Sequence, residues 1–256
     1  MPSEYIILDL ETTGIDVLRE VPVQSFLGVF SENAEWLFAE ELIWRASADR
    51  VAMTHHIHRI SPRRSGQGLP AATALRQICG SLLRLQHIYP DAPLVAYNAS
   101  FDLSMLLVVA QRELSRRAYR SFRAALESFP VLDPLVLDRA LDPFRKGKRN
   151  LSAVAEYYSI SPELISNAHD ASIDCEITGR VLLEIVEKFH LEKETLAALH
   201  KKQIAWHKGQ NERLAAYFGS DPSEQAGWPI RTEALKVLDV EPERSSRERR
   251  KYADLA

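Results

Sequence analysis

Leu8-Asp9-Leu10-Glu11-Thr12-Thr13-Gly14 closes the first apolar run of the chain, Tyr5-Ile6-Ile7-Leu8. That run reads as a buried strand. Residues two apart on a strand share a face, so Asp9 and Glu11 point together where the strand emerges. Two further stretches carry acids in comparable places. Tyr97-Asn98-Ala99-Ser100-Phe101-Asp102 extends the apolar Leu94-Val95-Ala96. His169-Asp170-Ala171-Ser172-Ile173-Asp174 opens a run in which Ile173, Ile177, Val181 and Ile185 recur at helical spacing. Asp102 is thus expected at the start of a helix that follows a strand. Asp174 is expected in the first turn of a late amphipathic helix starting around Asp170. Acids at the ends of apolar runs are costly to bury without cations, so three such stretches in one chain call for a common explanation.

The segments between them set the fold class. Val21 to Phe30 is a second strand candidate, with Pro22 near its start, where a missing N–H is tolerated. Trp36 to Trp44 is a third, and Ser31-Glu32-Asn33 between them suits a hairpin turn. Helical patterns follow over Asp49 to His58 and Pro70 to Gln86, and then after Asp102 with Leu103, Leu106, Leu107, Ala110 and Leu114 on one side. Val131-Leu132 before Asp133-Pro134 is a last short strand. A basic loop, Arg145 to Asn150, leads into a helix near Leu151. Three β-rich segments followed by strands alternating with helices give an α/β fold over residues 1–190. Residues 191–256 read as a helical extension whose end is mobile. In it Leu196, Leu199, Trp206, Leu214 and Tyr217 keep near-helical spacing, against a cost of about 1 kcal/mol for Gly209 inside a helix.

Composition narrows the class. The 256 residues are 46% hydrophobic and 26% charged, values of an ordinary globular protein able to bury a core without staples. Two cysteines, Cys79 and Cys175, give neither a zinc spacing nor a disulfide framework. With no 18-residue apolar run and no basic leader, no membrane span or secretory signal is expected, and a cytoplasmic location fits. The net charge of −3 is not the overall footprint of a nucleic-acid binder. Basic residues cluster locally, however: Arg112, Arg116, Arg117, Arg120 and Arg123 in one stretch, and Arg139, Arg145, Lys146, Lys148 and Arg149 in another. Each cluster is either a solvated surface or a binding patch.

Four carboxylates from three elements are hard oxygen donors of the kind that suit Mg²⁺ or Mn²⁺. A pair of such ions, roughly 3.5–4 Å apart, clamps a phosphodiester between attacking and leaving oxygens. His169 lies five residues before Asp174, about 140° away on a continuous helix, so the two cannot share a helix face. A loop position over the site suits a general base, and an ordinary imidazole accepts a proton near neutral pH.

With these motifs in this order, the sequence resembles the DEDDh 3′→5′ exonucleases, the DnaQ-like group that includes the epsilon proofreading subunit of bacterial DNA polymerase III. The resemblance covers roughly residues 4 to 190. It implies a ribonuclease H-like fold, a mixed five-stranded sheet flanked by helices. It implies that Asp9, Glu11, Asp102 and Asp174 hold two divalent ions and that His169 is the base. It places Thr12, Thr13, Gly14, Asn98 and Phe101 beside the 3′-terminal nucleotide, and Asp133 behind the site as a supporting acid. The bland alternatives are a strand-to-loop turn for Thr12-Thr13-Gly14 and a core aromatic for Phe101. His58-Arg59 matches a family segment in which glycine usually follows the histidine.

The substrate implied is a single-stranded 3′ end, with DNA favoured by the epsilon-like motif set and RNA processing as the alternative. A second class is a polymerase-associated subunit docking through residues 191–256, where Trp206, Tyr217, Phe218 and Trp228 either anchor a partner or pack on the domain itself. A third is a binder without catalysis, disfavoured because a binder has no need of four converging carboxylates.

Overall fold

The computed structural model describes residues 1–223 and 225–238. The end of the extension, with its charge run from Ser245 to Lys251, lies outside the described residues. Strands β1 (Glu4–Thr12), β2 (Pro22–Ser31) and β3 (Trp36–Ile43) form an antiparallel meander. On the other side of β1, β4 (Leu94–Val95) and β5 (Val131–Leu132) join in parallel, giving the order β3-β2-β1-β4-β5. The helices are α1 (Ala48–His58), α2 (Pro62–Gly66), α3 (Ala71–Ile88), α4 (Ala99–Glu113), α5 (Arg116–Glu127), α6 (Pro134–Leu141), α7 (Leu151–Tyr157), α8 (Pro162–Ile165), α9 (Ala171–Lys188), α10 (Leu196–Phe218) and α11 (Thr232–Leu238). Among the described residues, no helix is long and apolar enough to cross a membrane.

The alternation of β1 divides the core. Ile6 and Leu8 face α3, α4 and α5, where they meet Leu75, Ile78, Leu106 and Phe122. Ile7 faces the opposite way and joins Phe30, Val154, Val181 and Ile185. Successive strand residues point to opposite faces, so one short apolar run nucleates both layers. Helix α9 approaches the sheet closely at Gly179. A Cβ there would lie 2.7 Å from side-chain carbons of Ile7 and Phe30, so only glycine lets the helix rest on β1 and β2. This contact carries the N-terminus of α9 toward the end of β1. On α5, Phe122 is buried while Arg116, Arg117 and Arg120 are exposed, which makes the first basic stretch a solvated helix face.

Helix α10 runs unbroken through Gly209. Its packing offsets the glycine's cost. Strand β5 is a sheet edge whose free backbone groups need partners, and α10 supplies them. His200 Nδ1 accepts from the Val131 amide at 2.9 Å, Gln203 Nε2 donates to the Val131 carbonyl at 2.9 Å, and Gln203 Oε1 accepts from the Asp133 amide at 2.8 Å. Trp206 and Trp228 pack against the core. Tyr217 and Phe218 are 82% and 71% exposed and stack edge to face on each other. Two of the four aromatics of the extension thus pack on the domain itself, and the other two face solvent.

Candidate active site

The end of β1 presents Asp9 and Glu11, as the strand register requires. Glu11 pairs with Gln24 on β2, and the Gln24 amide oxygen accepts from the Ala171 backbone N–H at 3.4 Å. That link holds the start of α9 beside Glu11. Asp170 caps α9, its carboxylate accepting from the Ser172 amide at 3.0 Å. His169 lies before the cap with φ 74°, a left-handed conformation uncommon for a side chain with a Cβ. Its backbone N–H donates to Asp174 Oδ1 at 3.2 Å, and the residue is exposed. The loop position expected for His169 is the one observed. One ligand atom each from Glu11, His169 and Asp174 lie within 4.8 Å of one another.

Electrostatics shows the other acids converging. Burial holds the Asp9 carboxyl far above its ordinary range, and the charges of Asp102, Asp174, Glu11 and Asp170 add to this. Glu11 is pushed up to about 8, by burial first and then by Asp174 and Asp170. Asp102 is also well raised: burial dominates, Asp133 adds to it, and Arg231 opposes it. Asp174 is raised by burial, against the His169 amide and ring. Four protonation-prone acids from β1, α4 and α9 converge with more negative charge than Arg231 and His169 offset, and the donor set fits hard divalent cations.

Asp133 is the organising acid behind this site. It is 1% exposed. Its carboxylate accepts from the amides of Asn98 at 3.0 Å, Ala99 at 2.9 Å and Leu135 at 3.0 Å, and from Trp228 Nε1 at 3.2 Å. One side chain thus caps α6 and also closes the N-terminal turn of α4, which carries Asp102. Asn98 itself is left-handed, at φ 62°. Burial raises the Asp133 carboxyl and these four donors oppose it. Asp133→Ala orphans the buried amides of Ala99 and Leu135 and the half-buried amide of Asn98, so about 3 kcal/mol of stability should be lost. Thermal unfolding measures this, and an unchanged midpoint would remove Asp133 from its supporting role.

The remaining predicted residues sit close by. The Thr12 hydroxyl donates to the Gly14 carbonyl at 2.8 Å. The Thr13 hydroxyl donates to Glu20 and accepts from the Val21 amide, closing the loop after β1. Its side chain therefore builds the turn. Phe101 is half-buried, with the Arg231 guanidinium 5.4 Å from its ring centre. Sequence reasoning missed Arg231 and Gln203, and assigned no support of Asp133 to Trp228. All three act on the site from the extension, across 70 residues of chain or more, and no local pattern announces that. His58 is buried, with Nδ1 accepting from Ile60 N–H and Nε2 against the Thr54 hydroxyl. Both ring nitrogens are thus engaged within the fold. Arg59 stands at φ 57°, the conformation that the family's glycine would take without strain.

No protein-family model matches the chain. It is 26% identical over 206 residues to a PolC-type DNA polymerase III of Streptococcus suis, covering 78% of this chain and spanning only 12% of that relative's length. Among solved structures, E. coli Exonuclease I in complex with a dA16 oligonucleotide aligns with 84% of the chain and 45% of its own, at 17% identity and TM-score 0.54. The nuclease domain of 3′hExo, described as a DEDDh family member bound to rAMP, aligns with 73% of the chain and 93% of its own, at 10% identity and TM-score 0.54. The architecture is that of the ribonuclease H-like exonucleases. The likeness to these two structures is one of fold, and the second of them is the DEDDh family member.

Proposed function

We propose that this chain is a divalent-metal-dependent 3′→5′ exonuclease that acts on single-stranded ends, DNA in preference to RNA, and releases nucleoside 5′-monophosphates. The observation that carries this reading is the convergence of Asp9, Glu11, Asp102 and Asp174 with an exposed, loop-borne His169 at the end of β1. The four acids are the residues that would hold two Mg²⁺ or Mn²⁺ ions. Such ions, when bound, supply charge for the attacking and leaving oxygens of a phosphodiester. His169 takes the proton of the attacking water on a ring nitrogen. Its exposure leaves room for that water, and the Asp174 contact at its amide fixes the loop. Gly14 and the backbone of Thr12 and Thr13 line the approach to the acids. Phe101 offers a ring to the terminal base, and Asn98 borders it.

The preference for DNA draws on the similarity to a PolC-type polymerase and on the oligonucleotide held by E. coli Exonuclease I. The rAMP held by 3′hExo keeps RNA as the alternative. Free thiols at Cys79 and Cys175 suit a reducing cytoplasm. Matched 5′-labelled DNA and RNA strands, incubated with Mg²⁺, Mn²⁺ or EDTA, test the proposal. A metal-dependent ladder shortening from the 3′ end is expected, faster on DNA; no shortening of either polymer would end it.

One observation favours a second reading, in which the enzyme proofreads for a polymerase. The exposed Tyr217–Phe218 pair at the end of α10 is an aromatic anchor of the kind interfaces use. Co-migration with a replicative polymerase core, lost on replacing both residues by alanine, is the expected result. Separate elution of the unaltered chain would dismiss it.

A further inference from the structure

The loop between α6 and α7 has features that the acid site does not use. Its base is rigid. Asp138, fully buried, receives Arg145 Nη2 at 2.9 Å, Arg149 Nη1 and the Tyr158 hydroxyl. Arg149 Nη2 also donates to the carbonyls of Asp142 and Arg145. Gly147, at φ 100°, turns the chain. This framework holds Phe144 outward at 93% exposure, flanked by the exposed Lys146 and Lys148. Beside it, a cavity of about 230 Å³ opens between α6, this loop and α10, lined by Arg139, Pro143, Arg149, Gln210, Arg213 and Leu214. No carboxylate is among those residues. The guanidiniums of Arg139 and Arg213 make no hydrogen bond or ion pair with a described residue. Arg139 is half-buried with the charges of Asp133 and Asp138 acting on it, Arg213 is exposed, and Phe144 leaves a wholly exposed apolar ring in water. A phosphate between the two arginines would take charge-assisted hydrogen bonds from both, and a base on the ring would cover it.

The loop is also tied to the acid site. The Tyr97 hydroxyl donates to the Arg149 carbonyl at 2.7 Å, and Asp133 caps the helix that carries Arg139, about 9 Å along α6. These two ties join the loop and α6 to the residues that border the acids.

We propose that Phe144, Arg139 and Arg213 form a second nucleic-acid site, which holds the 5′-ward part of the single strand whose 3′ end lies at the acids. The arginines take a phosphate and Phe144 stacks on a base, the combination that binds single strands without reading their sequence. The proposal rests on the exonuclease reading, and its test separates the two.

Binding of a fluorescent DNA strand of about 12 nucleotides is followed by anisotropy in the inert Asp9→Asn background, using the full chain. Hydrolysis of the p-nitrophenyl ester of thymidine 5′-monophosphate, too short to reach the cavity, is followed in the active background. Phe144→Ala and Arg213→Ala together should weaken strand binding on the order of tenfold or more. They should flatten the salt dependence by about one phosphate contact and leave ester hydrolysis as in the wild type. Both side chains are exposed, so neither change threatens folding. Unaltered strand affinity would overturn the second site and leave the patch to an acidic protein partner. Loss of ester hydrolysis alongside strand binding would overturn it too, because the loop would then act through the acids. Failure of the wild type to hydrolyse the ester counts against the exonuclease reading alone, since the binding comparison needs no turnover.

Discussion

Asp9→Asn lowers turnover on the order of 10³-fold or more, and the same change makes the metal-free protein more stable. Both effects have one cause. Asp9 stands among Asp102, Asp174, Glu11 and Asp170, and burial with their charges holds its carboxyl far above the ordinary range. Asparagine keeps the shape and removes the charge, so repulsion falls and a proposed metal ligand is lost. The sign of the pH dependence follows. An acid whose folded pKa is raised contributes stability that is full below its unfolded pKa and is lost as pH rises through its folded one. For Glu11 that window runs from 4.5 to about 8, and Asp9, Asp102 and Asp174 act in the same direction. In EDTA, the wild type should therefore melt lower at about pH 9 than at about pH 6, and Asp9→Asn should lose less over that interval. Mn²⁺ should restore the wild type most at the higher pH, where protons no longer compete for the carboxylates. Thermal unfolding with and without metal at both pH values reads this. A wild type whose stability in EDTA rises toward pH 9 would contradict the clustering of these acids.

His169→Ala lowers the rate about 10²- to 10⁴-fold, the span that a positioned acid–base group contributes. The change should leave folding intact, because the side chain is exposed and its structural bond to Asp174 runs through the backbone amide. His169 has a ligand atom within 4.8 Å of ligand atoms of both Glu11 and Asp174, so a role as a metal ligand is the rival explanation of a lost rate. The two roles part in the metal dependence. A base leaves the half-saturating Mn²⁺ concentration near its original value while kcat falls, whereas a ligand raises that concentration. His169→Gln keeps a polar side chain of similar reach without a basic nitrogen and should be as slow as alanine. A rate equal to that of the unaltered chain in either variant would remove His169 as the base.

The elements that carry chemistry were legible because their signals are local. Apolar runs ending in acids mark β1 and the approach to α4, and the four-residue repeat from Ile173 marks α9. The periodicity argument that excluded His169 from the face of Asp174 also put it on a loop, where it is found. What stayed hidden acts at a distance. Nothing near Trp228 or Gln203 in the sequence signals that each bonds Asp133, because that contact depends on α10 crossing the open edge of β5. Gly209 weighed against one long helix, and the buried face through Leu199, Gln203 and Gln210 outweighs its cost. Gly179 gave no signal either. Its meaning is the close approach of α9 to Ile7 and Phe30, which only a packed structure reveals. Thr13 matched a substrate motif in sequence, and its side chain closes the turn to Glu20 and Val21.

Calorimetric titration of Mn²⁺ into the metal-free protein, with a nucleoside 5′-monophosphate present, tests most directly that these acids form a metal centre. The account predicts two ions per chain for the wild type, with binding weakened by Asp9→Asn and stronger at about pH 8 than at about pH 6. An absence of binding at either pH, or binding that Asp9→Asn leaves unaltered, would contradict it.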